Sequence, residues 1–430
     1  LADAWQVLRP AAVRRDPAHH TLELTTFATD TPALRIPLQW SGGSLHLDAE
    51  LSLGRVEFGA CLRLEVVDEA GRSWLGTGLC GIGGGGSLTT TLFCKGPDGS
   101  NVQDLGAYLP PDTRMHLRLA WFADEATECT ATHGDATVRY RMPAATALPP
   151  GRYWLTLGAM TAVTQFNLAT AALHSITVRG AAIAPAAPPD PALRAAALLA
   201  EGDPTAALAV LEQLPASDHR RPLWQALAHD DRNDLAGVTA AIDALADIPD
   251  GPLGRELALV LRTRPAVAAA LRRRLGPLAL PLLDRVYSVL GTHHHNDPVV
   301  RDLALAGMAG VEALTPQDDR QRIALLYLLA SRASLWAHLG EHARARRDRE
   351  AALAVPPAGD ADNPVLRADL HVALALMDLA DDPPAALAHA RAAVAISPAP
   401  ALVRMRLADE PALAAVAADP AWQALLRLHD

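Results

Sequence analysis

Between residues 21 and 180, apolar and polar positions alternate one by one. In SLHLDAELSL, Leu45, Leu47, Ala49, Leu51 and Leu53 are interleaved with His46, Asp48, Glu50 and Ser52. Successive strand side chains point to opposite faces, so the pattern predicts a strand with one buried and one wetted face. The same alternation runs through Leu34, Ile36, Leu38 and Trp40, through Met115, Leu117, Leu119 and Trp121, and through Val138 and Tyr140. Turn signals separate the runs: SGG at 41–43, DEAG at 68–71, GPDG at 96–99 and LPPG at 148–151. Many short strands without intervening helices predict an antiparallel β-sandwich of the jelly-roll kind over residues 1–180. All five Phe residues fall in this half, as a core of strand-favouring side chains requires.

The stretch GAAIAPAAPPDP at 180–191 breaks the pattern. Proline has no amide donor and restricts its predecessor, so a linker over 181–191 that joins neither sheet nor helix is expected. Beyond it the period becomes helical, over 192–430. PTAALAVLEQLP, ending at Pro215, recurs as DLAGVTAAIDALADIP, ending at Pro249, an offset of 34 residues. That offset also relates Ala207 to Ala241, Leu211 to Leu245 and Leu214 to Ile248. A period of 34 is that of one helix–turn–helix unit. In IALLYLLASRASLWAHLGEHARARRDREAALAVPP, Trp336, Gly340, Ala345, Ala352 and Pro357 resemble the aromatic, turn, small, small and stop positions of a tetratricopeptide repeat. A further unit has Asp381 at the turn, then Ala386, Ala393 and Pro398, and the end of the chain resembles the capping helices of such arrays, with Trp422, Leu425 and Leu426 as cover. No repeat signature aligns over 252–315. The β half resembles, more loosely, concanavalin-like jelly rolls such as laminin-G and legume-lectin modules, through LHLDAELSLGRVEFGACLRLEVVDEAG and ALHSITVRG. The fold class expected is therefore all-β plus all-α: a sandwich followed by a tetratricopeptide-like α-solenoid.

Hydrophobic residues make up 50% of the chain and charged residues 20%, which excludes wholesale disorder. No apolar run reaches the length of a membrane span, and the N-terminus lacks the layout of a secretory signal. The chain begins at Leu, so a processed or excised piece is expected. The net charge of −10, with Lys95 the only lysine, provides no basic tract and argues against nucleic acid as a partner. Four cysteines, Cys61, Cys80, Cys94 and Cys129, occur only in the β half. A hairpin reading pairs Cys80 with Cys94 and Cys61 with Cys129; the alternative is four buried thiols. The compartment, cytoplasmic or periplasmic, is left undecided by them.

Candidate chemistry is sparse. GTGLCGIGGGGS contains GxGxxG twice, at 76–81 and 81–86, but SLTTTLFC after it reads as a strand, so a hairpin tip is expected in place of a phosphate loop. Glu65, Asp68 and Glu69 lack the spacing of a paired-carboxylate hydrolase and read as solvated turn residues. His293, His294 and His295 read as a loop before an Asp297 helix cap, and no metal site or cofactor is expected. The arginines at 272–274 and at 344, 346, 347 and 349 read as exposed helix faces. Trp74, Tyr108, Tyr153 and Trp154 flank turns and are candidates for stacking on a sugar. The tetratricopeptide resemblance implies a partner groove at Tyr327, Ala330, Ser334, Ala337 and His338.

The leading expectation is a non-enzymatic scaffold or sensor binding a protein or peptide, as part of a bacterial signalling or assembly system. One alternative is the regulatory C-terminal region of a Ser/Thr kinase. The other is a carbohydrate-binding protein or glycan-active enzyme acting through the sandwich.

Overall fold

The computed structural model describes residues 5–27, 32–56, 60–84, 87–105, 109–123, 125–161, 168–184, 190–245, 251–293, 298–416 and 418–427. Among the described residues an antiparallel β-sandwich of two sheets is followed by 14 α-helices. By density of contacts the chain forms two compact units, Leu1–Val260 and Leu261–Asp430.

In the first unit, one sheet orders its strands β1 (Gln6–Val7), β4 (Leu34–Trp40), β13 (Gly151–Thr161), β6 (Ala60–Asp68), β7 (Ser73–Gly84), β8 (Ser87–Gly96) and β9 (Gly99–Asp104), with β15 (Ala181–Ile183) also on β4. The second orders β12 (Ala136–Pro143), β11 (Ala126–His133), β10 (Thr113–Phe122), β5 (Leu45–Val56), β14 (Leu168–Arg179), β3 (Thr21–Phe27) and β2 (Val13–Asp16). The apolar set of each alternating run meets in the middle: Leu34, Ile36, Leu155, Leu79, Leu92, Leu119 and Trp121 are at most 1% exposed. Burying such side chains contributes roughly 1.5–3 kcal/mol apiece.

Strand β15 is a correction. Ala181–Ile183 pairs with Trp40–Leu38, and the Ala184 amide donates to Pro37 O, so the start of the expected linker is a sheet edge. The three residues precede the first proline of the stretch, and nothing there blocks ladder hydrogen bonds.

The cysteine pairing also differs from the hairpin reading. Cys61 is bonded to Cys80, directly opposite on β6 and β7, and Cys94 to Cys129 across the two sheets. On the β7–β8 hairpin Cys80 faces Thr91, whereas Cys94 faces Thr77. Cys80 and Cys94 therefore lie at odd separation along the ladder and project from opposite faces of the sheet, which forbids their bond.

Five helix starts follow one local rule. Asp190, Asp203, Asn363, Asp382 and Asp419 each accept a backbone amide of the first turn and are followed by Pro191, Pro204, Pro364, Pro383 and Pro420. The side chain satisfies an orphan donor, and proline occupies the position where no amide is needed. These caps begin α1 (Pro191–Ala200), α2 (Pro204–Leu211), α11 (Pro364–Asp378), α12 (Pro383–Ile396) and α14 (Pro420–Leu426). Also in the first unit are α3 (Arg220–Asp231) and α4 (Leu235–Asp243), while α5 spans Gly251–Thr263. Glu256 of α5, 3% exposed, accepts from Trp224 Nε1 at 3.0 Å and from the Ala11 amide at 3.4 Å. Burial raises its pKa, opposed by the nearby Arg9 guanidinium, which is itself 3% exposed.

The second unit continues with α6 (Pro265–Leu275), α7 (Leu280–His293), α8 (Pro298–Gly307), α9 (Asp319–His338) and α10 (His342–Ala354), then α11, α12, α13 (Pro400–Ala408) and α14. Helices α9 and α10 turn at Gly340, whose φ of +74° is disfavoured for side-chain-bearing residues. Ala345 and Ala352 of α10 are fully buried, which lets the two helices approach closely. Trp422 of α14, 1% exposed, shares a cluster with Ala386, Ala390, Leu407 and Leu413, and Leu425 and Leu426 pack at its edge. Among the described residues no helix is long and apolar enough to cross a membrane.

One acid of this unit sets a pH dependence. Burial raises Asp284 of α7 to about 6, and its Oδ1 has no hydrogen-bond partner among the described residues. An acid whose pKa is higher folded than unfolded favours the folded state below its unfolded pKa of about 3.8. That contribution is lost as pH rises toward 6. Asp284→Asn is therefore expected to stabilise the protein at pH 7 by about 3 kcal/mol and to be close to neutral at pH 3.5. Urea unfolding at the two pH values measures both numbers, and an equal effect at each would contradict the buried-acid account.

Candidate functional site

The register of the first sheet arranges its outward side chains in rows. Cys94 reaches across to the other sheet, so its neighbours Phe93 and Lys95 on β8 project outward. One row crosses five strands as Arg35, Thr156, Glu65, Gly76 and Lys95. The next row holds Gly158, Arg63, Gly78 and Phe93, and a third holds Cys61, Cys80 and Thr91.

This face is unusually buried for an outer face. Phe93 is 3% exposed, Thr91 5%, and Glu65 and Thr156 7% each. Glu65 accepts from Ser73 Oγ at 2.8 Å, the Arg63 guanidinium lies 3.9 Å from the Phe93 ring centroid, and Arg35 lies 4.0 Å from that of Trp154. A Cβ at Gly76 would sit 3.1 Å from Glu65 Cγ and 3.3 Å from Phe93 Cε1, so glycine there lets both side chains lean in. In these first two rows three cations, Arg35, Arg63 and Lys95, face one carboxylate. Burial pulls the pKa of Arg63 down, with Glu65 opposing, and burial likewise lowers Arg35. Desolvated cations of this kind gain from an added anion.

The outer face of the second sheet is chemically different. Arg114 pairs with Glu50 at 2.8 Å, Arg118 and Arg179 with Asp48 at 2.8 and 2.7 Å, and Arg139 with Glu128 at 3.2 Å. Each of these exposed arginines meets a carboxylate, Arg118 and Arg179 sharing the buried Asp48, so four cations are answered by three acids.

Several sequence-based expectations change. Trp74 is 8% exposed, donates to Asp68 Oδ2 at 2.8 Å and carries the Arg72 guanidinium 3.9 Å from its ring centroid. Tyr153, 4% exposed, packs edge-on against Trp40 and donates its hydroxyl to Pro149 O. Neither ring offers a free face to a sugar, because Arg72 covers that of Trp74 and Tyr153 packs on Trp40. Trp154 stays half-buried beside Arg35 on the outer face, and Tyr108 lies outside the described residues. Glu65 is a further correction. It is no solvated turn residue but sits mid-strand in the central row. Alternation in LRLEVVD carried that signal: Leu64 and Val66 point inward, so Glu65 points outward from the sheet. Asp68 does serve a turn, accepting the Ala70 and Arg72 amides.

On α9, Ala330 is buried, Ser334 donates to Ala330 O at 3.1 Å, and the Tyr327 hydroxyl is bonded to Asn363 Nδ2 at 2.5 Å. Ala337 is half-buried and His338 exposed. The stretch Gly76–Gly84 is continuous strand, Gly85 and Gly86 lie outside the described residues, and so do His294, His295 and Asp297. Among the described residues no group of three His, Cys, Asp or Glu side chains is placed to hold a metal ion.

No protein-family model matches the chain, so none supports the tetratricopeptide resemblance, and no curated protein matches it either. Solved structures resemble the sandwich. An alginate lyase from Pseudomonas aeruginosa is 9% identical with a TM-score of 0.30, covering 42% of this chain and 99% of its own. The alginate lyase from Corynebacterium sp. is 7% identical with a TM-score of 0.27, covering 39% of this chain and 80% of its own. A structure of botulinum neurotoxin type C, whose cell entry depends on interaction with two ganglioside molecules, is 6% identical with a TM-score of 0.29, covering 41% of this chain and 42% of its own. At such identities the likeness extends to the fold alone. The expectation that the chain is not an enzyme is withdrawn, since alginate lyases stand among these neighbours.

Proposed function

We propose that the sandwich binds an acidic carbohydrate along the outer face of the first sheet. The observation that carries this reading is the central row, where Arg35 and Lys95 flank Glu65 across five strands with Gly76 between. Arg63 lies in the next row, so these two rows present three cations beside Glu65, with Asp190 near Arg35 and Asp104 opposite Thr91 in the third row. A uronate chain would place carboxylates against Arg35, Arg63 and Lys95, while Glu65, held on one oxygen by Ser73 Oγ, would take a sugar hydroxyl on the other. Charge-assisted hydrogen bonds are the strong ones, and here they would form on groups already partly removed from water.

Affinity electrophoresis of the full chain through gels containing alginate, polygalacturonate or neutral dextran tests it. Retardation by the uronates alone is expected, and Lys95→Ala should weaken it about tenfold, the loss of one charge-assisted contact. Equal retardation by dextran, or none by any polymer, would reject the proposal. Incubation with the same polymers, followed by a count of new chain ends, reports any cleavage.

A further inference from the structure

The second unit contains a groove of about 500 Å³ that belongs to neither the sheet face nor the stripe of α9 bearing Tyr327 and Ser334. Its floor is Arg332, whose guanidinium bonds Asp348 at 2.6 and 2.7 Å, Glu312 at 2.7 Å and Met308 O at 2.8 Å. Arg332 is thus saturated and holds the floor rigid. The walls are apolar: Leu305 and Ala309 on one side, Ala351 on the other, and half-buried Trp336 between. Two cations stand at the rim. Arg344 lies 4.7 Å from the Trp336 ring centroid and 3.8 Å from the exposed Glu341, and Arg347 is exposed with no acidic partner among the described residues.

We infer that this groove binds a small organic carboxylate with an apolar body. The volume falls within the roughly 300–1,000 Å³ of small-molecule sites. The apolar walls and the Trp336 ring take the body, and the planar Arg347 fork, assisted by Arg344, takes the carboxylate in two parallel hydrogen bonds. A cation would meet both rim arginines and is rejected. Positions 332 and 336 are one helical turn apart on α9, and 344, 347 and 351 share a face of α10, so these two helices supply most of the groove, and Leu305 of α8 with Ala309 just beyond it supplies the remaining wall.

Titration of the full chain with 1-naphthoate and with its neutral counterpart 1-naphthylmethanol, followed by calorimetry, tests the inference. Naphthoate should bind saturably and at least about tenfold more tightly than the alcohol, the contribution of one charge-assisted contact. Arg347→Gln should abolish that preference with an unchanged thermal midpoint, and Trp336→Leu should weaken both ligands. Equal affinity for acid and alcohol, or a preference that survives Arg347→Gln, would overturn it. Arg347→Gln and Trp336→Leu leave the sheet face intact, so an acid preference lost in them belongs to this groove and one that survives them to another site.

Discussion

Replacing Arg332 with Met is expected to destabilise the second unit by about 3–5 kcal/mol, a severe effect for a single substitution. Arg332 and Asp348 are each 7% exposed and share two hydrogen bonds. Without the guanidinium, Asp348 is left charged and desolvated, and Met308 O loses its donor. Glu312 is less affected, because its side chain is half in water. The double variant Arg332→Met with Asp348→Leu should recover much of the loss, since two apolar residues of similar size need no compensation there. Guanidinium unfolding of the wild type, both single variants and the double variant completes the cycle. A double variant as unstable as the sum of the singles would mean that the two residues act independently and that the ion pair is not what holds this site.

Loss of the bond between Cys94 and Cys129 should be nearly as costly. It closes 35 residues of chain and ties the two sheets together, whereas Cys61–Cys80 closes 19 within one sheet. On the chain-entropy account the first contributes about 4 kcal/mol and the second about 3 kcal/mol. Replacing both Cys94 and Cys129 with Ala should therefore lower the unfolding midpoint of the sandwich more than replacing both Cys61 and Cys80. The converse order would show that strain or residual structure outweighs loop length. Unfolded but unreduced protein should contain no free thiol, and a count of zero would indicate folding in an oxidising compartment.

Much of the architecture was legible before any coordinates. The period of two in LHLDAELSL and the helical period after residue 190 each state which side of an element avoids water, and no other sheet or helix period satisfies them. Helix starts have an equally local cause, though it was not read from the sequence: Asp190–Pro191 and its four counterparts cap and initiate through atoms within one turn. The αL turn at Gly340 is likewise a property of one residue.

What periodicity cannot contain is the identity of the neighbour. Arg35, Thr156, Glu65, Gly76 and Lys95 come from five strands, and their alignment depends on pairings chosen by the packing of the whole core. The same long-range choice paired Cys61 with Cys80, buried Trp74 and Tyr153, and brought α10 against α9 so that Arg347 and Trp336 line one groove. By itself the sequence determined the elements and their wet and dry faces, since those follow from each residue and its near neighbours. The tertiary structure alone decided which outward side chains share a row or a groove, since that depends on contacts between segments distant along the chain.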